Sequence, residues 1–89
     1  MTTEITRMRV LEAVLAERER QDAKWGDQRG NSDERWTVIL TEEVGEVARE
    51  VYEERSAGMF EEVVQCAAVA FAWAEAYLNR NSGVALDEE

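Results

Sequence analysis

The chain has no histidine and no proline, and it carries one cysteine, one lysine and five glycines among its 89 residues. Each shortage excludes something. Without histidine, the commonest general base and the usual zinc ligand are both missing. Without proline and with so little glycine, a turn-rich sheet protein is a poor fit, and a few long helices with short connections fit well. Cys66 has no second cysteine to pair with. It lies in an apolar run, and it reads as a buried free thiol in a reducing cytoplasm.

Positive charge is also short. Ten bases face twenty acids, for a formal charge of −10. Gripping nucleic acid or an anionic membrane surface needs clustered positive charge, so neither partner is expected. Long hydrophobic runs are missing as well. The longest, Cys66 to Ala74, is nine residues, about half of a membrane span. The first residues show no apolar stretch of signal-peptide length, and the expected location is the cytoplasm.

What the chain does have is helical periodicity over a single domain, 1–89. Residues 3–24 read as a first helix, with Ile5, Met8, Leu11 and Leu15 at spacings of three and four and Val14 beside them. Residues 25–33 hold two glycines, an asparagine, a serine and two aspartates, and read as a loop in which Asn31, Ser32 or Asp33 caps the next helix. A second helix over 34–55 carries the stripe Trp36, Leu40, Val44, Val47 and Val51. Ser56-Ala-Gly58 breaks it, and a third helix spans 59–80, with a frayed tail from about 84.

The third helix is apolar nearly all the way round: between Val63 and Leu78 only Gln65 and Glu75 are polar. Such a helix is buried on more than one side. Its alanines at 67, 68, 70, 72, 74 and 76 let another helix approach closely. The expected fold is therefore all-α, a bundle of three main helices completed by a second copy in a homodimer, with further pairing to a tetramer left open. A helix simply sandwiched within a monomer is the competing reading.

Ile39, Glu43, Glu46 and Glu50 form a row that abuts the apolar stripe of the second helix, whereas solvated acids belong opposite it. On the third helix, Glu62 and Gln65 head a row continued by Val69, Trp73 and Ala76. Two antiparallel helices joined by a short turn bring Glu43, Glu46 and Glu62 into one partly buried space. Carboxylates gathered in this way repel one another and lose hydration unless a hard cation neutralises them. Oxygen-only ligands suit Mg²⁺ or Mn²⁺ and do not suit zinc. An ordinary solvated acidic rim is the alternative.

Thr41-Glu-Glu-Val-Gly-Glu-Val47 and Phe60-Glu-Glu-Val-Val-Gln-Cys-Ala-Ala-Val69 together resemble the MazG-like all-α nucleoside triphosphate pyrophosphohydrolases. That family's pattern is Glu-x-x-Glu, a connection, then Glu-x-x-Asp on the next helix. Glu43 and Glu46 match the first half, and fifteen residues intervene before Glu62. Lys24-Trp25-Gly26 and the run from Gln65 to Trp73 are similar to a branch with short members, and the resemblance covers about residues 18–78. The last motif position departs from the pattern: Gln65 stands where the family carries aspartate, and an amide brings neither charge nor a base. Glu42, Glu50 and Glu61 are the candidate substitutes.

The resemblance implies Mg²⁺-dependent hydrolysis of a (deoxy)nucleoside triphosphate to monophosphate and pyrophosphate, with Mn²⁺ as a substitute. Glu43, Glu46 and Glu62 would be the catalytic and metal-holding carboxylates, joined by Gln65 at the metal. Without histidine, a glutamate or a metal-held hydroxide takes the proton. Lys24, with Arg29 or Arg35, would balance phosphate charge, and Trp25 would stack on a base or plug the end of the bundle. Trp36 and Trp73 read as core. Two other readings stay open: a nucleotide- or metal-binding relative without turnover, for which Gln65 is the sign, and a helical interaction module assembling through its third helix.

Overall fold

The computed structural model describes residues 1–54 and 56–81, apart from the side chain of Ser56. The expected frayed tail from about 84 lies outside the described residues. Three α-helices account for most of them: α1 (Thr3–Trp25), α2 (Asp33–Tyr52) and α3 (Met59–Asn81). A single 3₁₀ turn, Ser56–Gly58, leads into α3. There is no strand among the described residues.

Helices α1 and α2 begin where the sequence supplies a cap. Thr2 Oγ1 accepts from the Ile5 amide at 3.1 Å, and Ser32 Oγ accepts from the Arg35 amide at 3.1 Å. Each bond satisfies one of the amides left unpaired in a first helical turn. Ser32 is thus the cap among the three candidates. Helix α1 ends at Gly26, whose φ of 78° suits a residue without a Cβ. Its amide donates to the Asp22 carbonyl at 2.9 Å.

Helix α2 stops at Tyr52, short of the expected residue 55, which is not described. Glu54 adopts φ 56°, and its amide turns back to the Val51 carbonyl at 3.2 Å. This left-handed residue closes the helix in the manner glycine usually does, but with a side chain that disfavours the conformation.

Helix α3 lies between the other two and packs on both, while the backbones of α1 and α2 hardly approach each other. Two small cores result. Trp36, 2% exposed, packs against Val69, Ala72 and Ala76, with Ile39, Leu40 and Trp73 at its edge. Val14 packs against Val64 and Ala68. Polar pins fix the same two seams. Trp73 Nε1 donates to Asp33 Oδ1 at 2.9 Å and Arg80 joins the same carboxylate at 3.1 Å, tying the start of α2 to the end of α3. The Trp73 bond and then Arg80 hold the Asp33 carboxyl below its usual range. Arg18 reaches Glu75 at 2.9 Å, tying α1 to α3.

The third face of α3 is bare. Phe60, Val63, Phe71, Tyr77 and Leu78 are all exposed, with Ala67, Ala70 and Ala74 between them. The apolar stripe of α1 is also uncovered, with Val14 beside it buried: Ile5, Met8, Leu11 and Leu15 are exposed. Val44 and Val51 of α2 are exposed as well. Trp73 is half-buried where core was expected, and Cys66 is free but only half-buried. Burial first, and the Glu43 carboxylate second, push the Cys66 thiol above its usual value.

Glu54→Gly tests the reading of the α2 terminus. Removing the Cβ from a left-handed residue should stabilise the protein by about 0.5–1 kcal/mol, net of glycine's greater chain entropy. A denaturant melt with an unchanged slope and a higher midpoint is the expected result. A lower midpoint would mean that Glu54 is held there by contacts of its own.

Candidate metal centre

The α2–α3 seam has an antiparallel register that can be followed from Trp36. Trp36 sits against Ala72; seven and ten residues on along α2 are Glu43 and Glu46, and seven and ten residues back along α3 are Gln65 and Glu62. Equal steps at about 1.5 Å per residue bring the two sets to the same level. One carboxylate oxygen from each of Glu43, Glu46 and Glu62 lies within 4.8 Å of the others. Glu43 and Glu62 are half-buried and Glu46 is exposed, so the cluster has two sheltered members and one open to solvent.

The electrostatics follow from that placement. Burial, then the neighbouring Glu46 and Glu62, push the Glu43 carboxyl up to about 7 from 4.5. Burial, then Glu46 and Glu50, raise Glu62 too. Oε2 of Glu43 and Oε2 of Glu62 are buried without a hydrogen-bond partner. Leaving such oxygens unpaired is costly, and the cost grows with ionisation. The donor set fits a hard divalent cation: three carboxylates, uncommitted oxygens pointing inward, and no nitrogen or thiolate among them.

Two of the three acids, Glu43 and Glu46, open onto a cavity of about 510 Å³ lined from all three helices, whereas Glu62 is not part of its wall. Glu43, Glu46 and Gln65 form part of its wall, and Lys24, Trp25 and Arg35 another part. Lys24 Nζ sits 4.7 Å from the centroid of the Trp25 ring, a cation–π contact. Trp25 is 58% exposed, so it does not plug the bundle end as one sequence reading had it. One of the expected residues is placed elsewhere. Arg29 lines a neighbouring cavity and pairs with Asp27 at 3.0 Å. The reason is the turn at Gly26, after which the chain departs from the helical path that carries Lys24 and Trp25.

Three residues of α1 that spacing alone did not single out complete the wall: Glu17, Arg20 and Gln21. Arg20 donates to both oxygens of Glu17, at 2.8 and 2.6 Å, and Gln21 donates to Glu17 at 3.2 Å. The Arg20 bond leads in holding the Glu17 carboxyl below its usual value. A signal for them is present in the sequence. Val14, Glu17, Gln21 and Lys24 recur at three, four and three, so the face that buries Val14 runs on into polar residues. Gln21 is buried.

Comparison with known protein families, with curated proteins and with solved structures gave no match to this chain.

The raised Glu43 carboxyl makes a pH prediction for the metal-free protein. Between about 4.5 and about 7 the fold keeps a proton on Glu43 that the unfolded chain has already lost. Stability contributed in this way is complete below the lower value and lost as pH rises through the upper one. Melting temperature in chelator should therefore fall across that window. Glu43→Gln should flatten the slope and stabilise the chelated protein at pH 7.5 by about 0.5–1 kcal/mol. The low carboxyls of Asp27, at about 2, and of Asp33 act in the opposite sense, at more acid pH. An unchanged slope in Glu43→Gln would assign the effect to another group.

Proposed function

We propose that the protein is a metal-dependent nucleoside triphosphate pyrophosphohydrolase, cutting a (deoxy)nucleoside triphosphate between the α- and β-phosphates. The observation that carries this reading is the convergence of Glu43, Glu46 and Glu62 beside a cavity that also holds Lys24, Trp25 and Arg35. It is supported by the resemblance of the two half-motifs to the MazG-like family. Glu43, Glu46 and Glu62 would hold Mg²⁺ or Mn²⁺, with Gln65 beside them as a neutral oxygen donor. When bound, the cation supplies charge that offsets the phosphates and polarises both phosphorus and water.

The chain's own residues do the rest. Carboxylate oxygens not committed to the cation order the attacking water and accept its proton; no histidine competes for that role. Lys24, held against the face of Trp25, and Arg35 offset phosphate charge at the cavity wall, a role that Arg29 does not share. In this reading Trp25 positions Lys24. Gln65 also favours a second reading, a relative that binds metal and nucleotide without turning it over.

The exposed face of α3 supports a homodimer. It runs for several turns, with small alanines at its centre and large apolar side chains around them, and it includes a shallow hollow lined by Ala70, Trp73, Ala74 and Tyr77. A patch of this extent is unusual on a monomer's surface. A second copy, packed α3 to α3, is the occupant that fits, and pairing of dimers remains compatible with the exposed stripe on α1. None of the helices among the described residues is long and apolar enough to cross a membrane, in keeping with a cytoplasmic site of action.

Two experiments test these readings. With magnesium or manganese, but not calcium, some nucleoside triphosphate should give monophosphate and pyrophosphate in equal amounts, and Glu43→Gln should abolish this. Orthophosphate and diphosphate as products would place the cut at the wrong bond. Metal-induced stabilisation without any turnover would select the second reading, and Gln65→Asp should then raise metal affinity. Separately, sedimentation at micromolar concentration should show a dimer or larger, and Ala70→Glu, which places a charge at the centre of the bare face, should give monomers. A monomeric parent protein would dismiss the α3 interface.

A further inference from the structure

Helix α1 brings two cations, Arg20 and Lys24, to the wall of the acidic cavity one turn apart. Lys24 rests on the Trp25 ring. Arg20 is held differently. Its Nε and Nη2 donate to the two oxygens of Glu17, at 2.8 and 2.6 Å, as a fork on a carboxylate. Gln21, only 8% exposed, donates to the same carboxylate at 3.2 Å and fixes it from a second side. The Glu17 side chain is 11% exposed, whereas that of Arg20 is 53% exposed. The support is sheltered and the tip is open. Nη1 of Arg20 makes no hydrogen bond, so the guanidinium edge turned away from Glu17 keeps its donors unused.

Most ion pairs between neighbours on a helix surface are solvated and contribute little. This pair stands where its acid is least welcome. Glu17 shares a wall with Glu42, Glu43 and Glu46, and its charge adds to the crowding of Glu43. Glu43 in turn acts on Arg20. An arginine free to swing in such a wall would settle on Glu43 or Glu46 and take the place of a cation there. The two-point grip of Glu17 keeps it off them.

We infer that Arg20 is a phosphate-contacting residue of this site and that Glu17 is its positioning residue, holding the guanidinium clear of Glu43 and Glu46 with one edge free for phosphate oxygens. The inference rests on the proposed function and extends it to α1. A guanidinium fixed along one edge offers the other in a set plane, which the point charge of a lysine does not. Arg20 and Lys24 then offset phosphate charge from one helix, while the acids act from the other two.

The test uses inorganic imidotriphosphate, a triphosphate without base or sugar whose P–N–P bridges resist hydrolysis. It is titrated by calorimetry into the full chain at saturating magnesium. Arg20→Ala should weaken its binding by at least about tenfold, the worth of one charged hydrogen bond. Arg20→Lys, which keeps the charge and loses the fork, should recover only part of the loss. Glu17→Gln gives the decisive sign. It removes a negative charge, so on charge alone an anion should bind more tightly; loss of the grip on Arg20 should instead weaken binding several-fold. Arg20→Ala should keep at least the parent's magnesium-induced rise in melting temperature, which shows that fold and metal site are intact. Unweakened binding in Arg20→Ala, or tighter binding in Glu17→Gln, would overturn the inference even in a protein that releases pyrophosphate from triphosphates. A parent chain that binds no imidotriphosphate would overturn it together with the proposed function.

Discussion

The insertion of Trp36 into the small-residue face of α3 is the contact on which the remaining geometry depends. A tryptophan needs a recess, and α3 provides one by placing Ala72 and Ala76 beside Val69. Once the ring is seated, α2 has one register on α3. That register puts Glu46 level with Glu62 and Glu43 level with Gln65 two to three turns away. A slip of one turn would cost much of the burial of the largest core side chain, on the order of 3–5 kcal/mol by analogy with truncation of a buried aromatic. Repulsion among the carboxylates cannot oppose that effectively, since protonation of Glu43 near neutrality already relieves part of it. The aromatic anchor therefore holds the acids together against their own preference. Trp36 also separates the two cavities, so one side chain sets the register and partitions the space.

The acids are placed next to apolar rows and away from the solvent face, which gives them their chemical character. Glu46, at the open edge, is exposed, whereas Glu43 and Glu62, each a helix turn from buried or half-buried neighbours, are sheltered. Helix α1 contributes a third polar layer. Glu17, which also acts on Glu43, is neutralised by Arg20, so its charge adds little to the crowding. The result is a graded site, with one pair already compensated and three carboxylates not.

Much of this was legible in the sequence because helical periodicity carries both fold and face. The three helices and the convergence of Glu43, Glu46 and Glu62 follow from spacings of three and four, and the Ser56–Gly58 break follows from its serine and glycine. The end of α2 was not legible: Gly58 and Ser56 are the visible breakers, but the chain turns at Glu54, a residue type that carries no such signal. Arg29 was misplaced for a related reason. Period predicts direction only along a helix, and the φ of 78° at Gly26 sends the next residues to the other side of Trp36. The stripe of α1 was legible as helical periodicity, but its exposure was not. An amphipathic pattern says that a face wants a partner; whether one chain supplies it depends on how many helices there are to share.

That shortage also governs how assembly relates to the site. At about 100° per residue, Glu62, Gln65, Val69 and Ala76 cluster on one side of α3. Phe60, Val63, Ala67, Ala70 and Ala74 cluster on the opposite side, and the face that meets α1, with Val64 and Ala68, lies between. A second copy seated on the bare face therefore approaches from behind, and each copy keeps its own carboxylates and its own Trp36. Leu78 marks the border, since it belongs both to the cavity lined by Arg18, Trp36 and Glu75 and to the shallow hollow on the bare face. Covering that hollow would bury the outer side of Leu78 and fix the cavity wall it forms. Assembly on this face would thus stiffen that cavity without closing the acidic one, because the two lie at different angles around the same helix.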